Sequence, residues 1–222
     1  MRNPAPKLTE NAVAAFNYPI GGIIPLAEPS HDYNFNFFDL SRLRRSNKNL
    51  SALAGRQLDE LLWFAAKVSQ VHFQPNGYTL THRPSASAGA RHPIDLLVVK
   101  PSQPNLLNYY NPFEHTLNTL KLDETMAGNF ISHVNENIVI GDATLIWFVA
   151  HPERTAAKYD NSQSLIWRDA GALLHCIQST CAAMGLSSCP VGTLAEPYIS
   201  LLFKNEAILS AGGIIIGNNL VL

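Results

Sequence analysis

The chain has 222 residues, 46% of them apolar, and carries 16 Lys and Arg against 17 Asp and Glu for a net charge of −1. So many apolar side chains exclude general disorder. With no run of like charge longer than Arg44-Arg45, near-neutrality also excludes the electrostatic footprint of a nucleic-acid binder. Mean hydropathy is zero, and apolar runs such as Ala143 to Ala150 fall well short of the roughly 18 residues a membrane span needs, so a soluble protein with no membrane partner is expected. Three cysteines without C-x-x-C spacing point to a reducing compartment. The polar, Pro-rich start from Met1 to Lys7 lacks the apolar stretch of a secretory signal. Cytoplasm is the expected location.

In chain order, residues 1–34 hold Pro4, Pro6, Pro19, Gly21, Gly22, Pro25 and Pro29 and read as an extended arm over the body. Residues 35–222 read as one domain. Phe37, Leu40 and Leu43 predict a short helix that delivers Arg44-Arg45-Ser46-Asn47-Lys48 at its end, and Leu58, Leu61, Leu62, Ala65 and Val68 predict a helix from Gln57 to Ser69. Residues 70–92 are rich in Gly, Pro, Ser and His. Ile94 to Val99 reads as a buried strand, Asn105 to Tyr110 as its hairpin or edge partner, and the polar segment to about Ile131 as helix-compatible. Ala143 to Ala150 predicts a central strand, Gly171 to Met184 a buried helix with Gly185 at C′, and Ala211 to Gly217 a last strand. Helices and strands intersperse without a strict βαβ rhythm, so the expected class is α+β.

Four segments carry candidate chemistry. The cluster at 44–48 offers two guanidinium groups, a hydroxyl and an ammonium in one turn, either a donor set for a phosphate dianion or a solvated helix end. Arg83 to Pro93 is a small-residue loop ahead of a strand, either a backbone surface for a planar ligand or a flexible surface loop. Lys158-Tyr159 follows the central strand as a base with its neighbour or as a solvated pair. Gly185 to Gly192 reads as a tight loop able to aim backbone donors at a ligand. Cys189 lacks an assignable activating partner and, like Cys176 and Cys181, is expected in the core. His72, His82, His92, His115 and His175 show no metal-ligand spacing, so no metal site is expected. A G-x-G-x-x-G dinucleotide motif and a Walker loop are both absent.

Taken in order, these segments resemble the nitroreductase-like flavoprotein superfamily, and within it the SagB-type branch that contains azoline (thiazoline/oxazoline) dehydrogenases of modified-peptide pathways. The resemblance runs from about Leu43 to Gly217. It rests on Arg44, Ser46 and Lys48 as R-x-S-x-[RK], on Ser87-Ala88-Gly89 with His92-Pro93, and on Tyr110-Asn111-Pro112 with His115 and Leu117. Lys158-Tyr159, Asp169-Ala170-Gly171 and the run Gly185-Leu186 to Cys189-Pro190-Val191-Gly192 complete it. Asp160 to Ser164 replaces an Arg-Tyr stretch common in the branch, Ala86 stands where many relatives have Pro, and Asn218 to Leu222 lacks the basic residue or long arm of many nitroreductases.

The resemblance implies a mixed central sheet flanked by helices, in an intertwined homodimer with FMN at the subunit interface. Arg44, Arg45, Ser46 and Lys48 would hold the flavin phosphate, ribityl chain and N1/O2 edge. Ser87, Ala88 and Gly89 would pack on the ring, and Pro190, Val191 and Gly192 would meet its N5/O4 edge through backbone. In the azoline branch a base removes the Cα proton while hydride passes from Cβ to flavin N5, and oxygen reoxidises the flavin. Lys158 is the candidate base and Tyr159 its hydrogen-bonding or relay partner, in a bacterial biosynthetic setting. Two other functions fit the same resemblance: an NAD(P)H-dependent reductase of nitro compounds or quinones acting on a small molecule, and a flavin-binding or flavin-free subunit that assembles a synthetase complex.

Overall fold

A computed structural model describes residues 2–30, 33–74 and 78–220. Within the arm, β1 (Ala5–Pro6) is followed by β2 (Ile20–Pro25). Helix α1 (Phe37–Leu43) starts where Asn36 accepts the Phe38 amide, and buries none of its residues. After β3 (Leu50–Ser51), α2 (Gln57–Ala66) turns Leu58, Leu61, Leu62 and Ala65 inward. It ends three residues earlier than its apolar spacing predicts: Lys67 is extended, and Val68 is buried from beyond the helix. The Gly/Pro-rich stretch that follows contains a hairpin of β4 (Gln70–Phe73) and β5 (Thr79–His82).

Strand β6 (Ile94–Val99) has the predicted bounds, and β7 (Leu107–Asn111) is its antiparallel partner. Part of the segment read as helix-compatible is β8 (Thr116–Leu120), and α3 (Glu124–Asn137) follows, capped by Asp123 accepting the Met126 amide at 2.9 Å. The central strand is β9 (Thr144–Ala150), then α4 (Pro152–Ala156) and β10 (Tyr159–Asp160). Helix α5 (Gln163–Ala183) begins eight residues before its apolar stretch and ends at Gly185, whose φ of +70° suits a residue without Cβ. The expected loop after it contains β11 (Ser187–Val191), and α6 (Tyr198–Phe203) precedes β12 (Leu209–Asn219).

The main sheet runs β11-β12-β9-β6-β7-β8-β2, with β3 paired to β12. Its ladders are antiparallel, and a parallel bridge joins Ser46 to Ser188. Period-two alternation splits the core between its faces. Leu145, Trp147 and Val149 pack with Phe130 and Val134 of α3, whereas Ile146, Phe148 and Ala150 pack with Leu61 of α2 and with Ile166, Leu173 and Ile177 of α5. Part of the arm is therefore structural, since β2 is the sheet's edge strand. Val221 and Leu222 lie outside the described residues. No helix among the described residues is long and apolar enough to cross a membrane.

Candidate functional site

The loop ahead of β6 is fixed by Asp169 of α5. Ser87 Oγ donates to Asp169 Oδ2 at 2.6 Å, the Ala88 amide donates to Oδ1 at 3.1 Å, and the His92 amide donates to Ser87 Oγ at 2.8 Å. Burial raises the Asp169 carboxyl, with Ser87 and Ala88 pulling the other way. Gly89 has φ +60°, and a Cβ there would stand 2.8 Å from Tyr159 Oη and 3.0 Å from Lys158 Cδ. Absence of a side chain at 89 is what lets the Lys158-Tyr159 pair lie against the loop. Thus Ser87, Ala88, Gly89, Lys158 and Tyr159 come together although about 70 residues separate their segments in sequence.

A buried polar network sets the position of α4, and so of Lys158. Asp95, 4% exposed, receives Arg154 Nη1 and Nη2 at 2.7 and 2.8 Å, Tyr18 Oη at 3.1 Å, and stands 3.0 Å from His151 Nε2. Burial alone would raise the Asp95 carboxyl, but Arg154 and His151 outweigh it and hold it well below the usual carboxylate range. Burial, with Asp95 adding, pushes the Tyr18 phenol well up. On the loop itself, burial lowers the His92 imidazole to about 4, and its Nε2 lies 3.1 Å from the Thr81 carbonyl.

Arg44, Arg45 and Ser46 occupy a second place. The Asn47 amide donates to the Ser188 carbonyl at 3.0 Å, which docks the turn after α1 on β11. A cleft of about 500 Å³ opens there, lined by Arg44, Arg45, Ser46, Ser187, Ser188 and Gln178, a size usual for cofactor sites. Gln178 is buried, and its Nε2 donates to none of the described residues. Two guanidinium groups, three hydroxyls and a free amide donor suit a phosphate and a polyol chain. Lys48 is exposed and lies outside that lining. Pro190 is half-buried, Val191 is buried and pairs with Gly213, and Gly192 is exposed. Cys189 and Cys181 are buried and Cys176 partly so, all three as free thiols, with burial raising Cys181 to about 12.

The two groups of residues flank α5 from different sides. Asp169, which holds the Ser87 loop, and Gln178, which lines the cleft, are nine residues apart, about 13 Å along the helix and half a turn around it. Sequence reasoning missed Asp95, His151, Tyr18 and Glu10, and took Arg91 only as part of the loop from Arg83 to Pro93. An acid inside the apolar run Ile94 to Val99 is the one local signal that pointed to the network. Among the described residues no His, Cys, Asp and Glu gather in a group able to hold a metal.

The Nitroreductase family model matches residues 44–215. No curated protein matches the chain. Among solved structures, a candidate nitroreductase of Ralstonia eutropha JMP134 is similar at 22% identity with a TM-score of 0.71, over 97% of this chain and 100% of that one. A chain of the Escherichia coli microcin synthetase McbBCD complex, solved with truncated pro-MccB17 bound, is similar at 15% identity and a TM-score of 0.63, over 96% and 80% of the two chains. A candidate NADH oxidase of Clostridium acetobutylicum reaches a TM-score of 0.53 at 15% identity, over 83% and 89%.

Proposed function

The chain belongs to the nitroreductase family, and we propose that within it the protein is an FMN-dependent dehydrogenase of the SagB type that oxidises azoline rings in a modified peptide. The observation that carries this reading is the seating of Lys158 and Tyr159 against Gly89, a basic side chain on the loop that the resemblance assigns to the flavin ring. The fold is also that of a chain in a synthetase complex solved with pro-MccB17 bound, so a peptide substrate fits it.

The cleft at Arg44 fits the cofactor's polar end. Arg44, Arg45 and Ser46 would hold the phosphate, with Lys48 adding charge from the surface, and Gln178 Nε2, a buried donor without a partner among the described residues, would be available to the ribityl chain. Ser87, Ala88 and Gly89 present small side chains and backbone to the ring, and Pro190, Val191 and Gly192 present backbone to its edge. FMN, when bound, supplies the hydride acceptor and passes electrons to oxygen. Lys158 Nζ would take the substrate's Cα proton, and Tyr159 would orient or relay it.

The resemblance implies a homodimer, and the position of the two groups on different sides of α5 supports a reading in which a second copy completes each site, Ser87 to Gly89 and Lys158 of one protomer facing the Arg44 cleft of the other. Exposed Phe37, Phe38 and Leu43 on α1 supply apolar area for that homodimer. An absorbance spectrum of the purified protein tests the assignment. We expect a flavin band near about 450 nm that survives anaerobic mixing with NADPH. Rapid bleaching by NADPH would identify a nitro or quinone reductase instead, and a colourless protein that cannot be reconstituted with FMN would leave an assembly subunit.

A further inference from the structure

The arm lies along the short edge that carries Lys158. Ala5 and Pro6 pair antiparallel with Asp160 and Tyr159, the Lys7 amide donates to the Lys158 carbonyl at 2.8 Å, and the Asn11 amide donates to the Ala157 carbonyl at 3.0 Å. Between these anchors Glu10 places Oε1 3.4 Å from Lys158 Nζ and Oε2 2.5 Å from Arg91 Nη2. Arg91 is 2% exposed, and its guanidinium sits 4.0 Å over the Tyr78 ring. Its nitrogens make no well-aligned hydrogen bond among the described residues, so the Glu10 carboxylate is a principal compensation for a buried cation.

Two physical facts pull in opposite directions. The strand part of the arm's hold is slight, because β1 has only two residues, both exposed, and Pro6 has no N–H to give a ladder. The demand of Arg91 is strong, since a buried guanidinium left without its carboxylate is costly. A peptide that displaces the arm and covers Arg91 in its place must therefore bring an acid of its own. With Glu10 seated, the Lys158 ammonium is paired with the arm's carboxylate.

We infer that Ala5 to Asn11 is a tethered stand-in for the substrate. An extended peptide adds to the Tyr159–Asp160 edge, sets an acidic side chain on Arg91, and releases Lys158 from Glu10. This rests on the reading of Lys158 as the base.

The test is fluorescence anisotropy with a labelled peptide of residues 2–12 added to the full chain. A tethered segment competes at roughly millimolar effective concentration. Glu10→Gln, which weakens the arm's hold, should therefore bind the peptide roughly tenfold more tightly than the wild type does. The same peptide carrying Gln in place of its Glu should lose that binding. Equal affinity for the two proteins, binding to neither, or equal binding of the Gln peptide would overturn the inference. Neither flavin nor turnover enters the readout, so its failure leaves the dehydrogenase reading standing, and a failure of that reading leaves the peptide binding intact.

Discussion

Arg154 grips Asp95 with both ends of its guanidinium, at 2.7 and 2.8 Å, and its Nη1 also donates to the His92 carbonyl at 3.2 Å. Arg154, four residues before Lys158, thus ties α4 to β6 and to the loop that holds Gly89. Arg154→Met should cost about 3–5 kcal/mol, the usual consequence of stranding one partner of a buried pair. Urea denaturation measures it, and a loss below about 1 kcal/mol would show that the pair does not anchor α4.

The same site sets an acid limb on stability. Asp95 is held down in the fold and titrates near about 3.9 when unfolded, so its contribution is complete above that pH and lost as pH falls below it. His92, lowered by burial to about 4, contributes above its unfolded value of about 6.5 and loses that contribution as pH falls from there towards 4. Burial would lower His151, but Asp95 and Glu153 outweigh it and raise it, so His151 opposes the His92 loss in the upper window. Asp95→Asn should therefore flatten the lower stage of the acid decline and, by removing the carboxylate that raises His151, steepen the upper one, which thermal melts across pH will detect.

Gly89→Ala places a Cβ 2.8 Å from Tyr159 Oη at a φ of +60°. The left-handed conformation alone costs a non-glycine residue about 1–2 kcal/mol, and the clash moves Tyr159 or Lys158. Turnover should fall at least tenfold while the melting temperature drops by only a few degrees. Unchanged turnover would mean that the contact of Gly89 with the pair has no part in the reaction.

At the cleft, Arg44→Ala removes one of the cations proposed to hold the cofactor's phosphate. A charged hydrogen bond is worth about 1.5–3 kcal/mol, so FMN affinity should fall by roughly tenfold to a hundredfold. Quenching of flavin fluorescence on titration reads this directly, and an unaltered Kd would move the phosphate elsewhere.

Strands buried on both faces were the legible part of this fold. In Ile94 to Val99 and Thr144 to Ala150 every residue is buried and all but Asp95 and Thr144 are apolar, and burial leaves such runs little alternative. Thr116 to Leu120 was not legible, because Thr116 and Asn118 are buried by satisfying one another, Thr116 Oγ1 donating to Asn118 Oδ1 at 2.7 Å. Polar residues of that kind read as surface until the fold supplies the partner. The hairpin of β4 and β5 was hidden for a different reason, since the residues of β4 are all exposed and its apolar members carry no burial signal. Lys158 and Gly89 stood out as members of motifs. Their contact did not, and neither did the approach of Glu10 to Lys158, 148 positions away, because long-range ion pairs leave no local pattern.

Lys158→Ala tests the central claim most directly. Loaded with FMN and mixed anaerobically with a thiazoline-containing peptide, the wild type should bleach near about 450 nm. Lys158→Ala should keep the same oxidised flavin spectrum and fail to bleach. Full bleaching by the variant at the wild-type rate would contradict the assignment of Lys158 as the base.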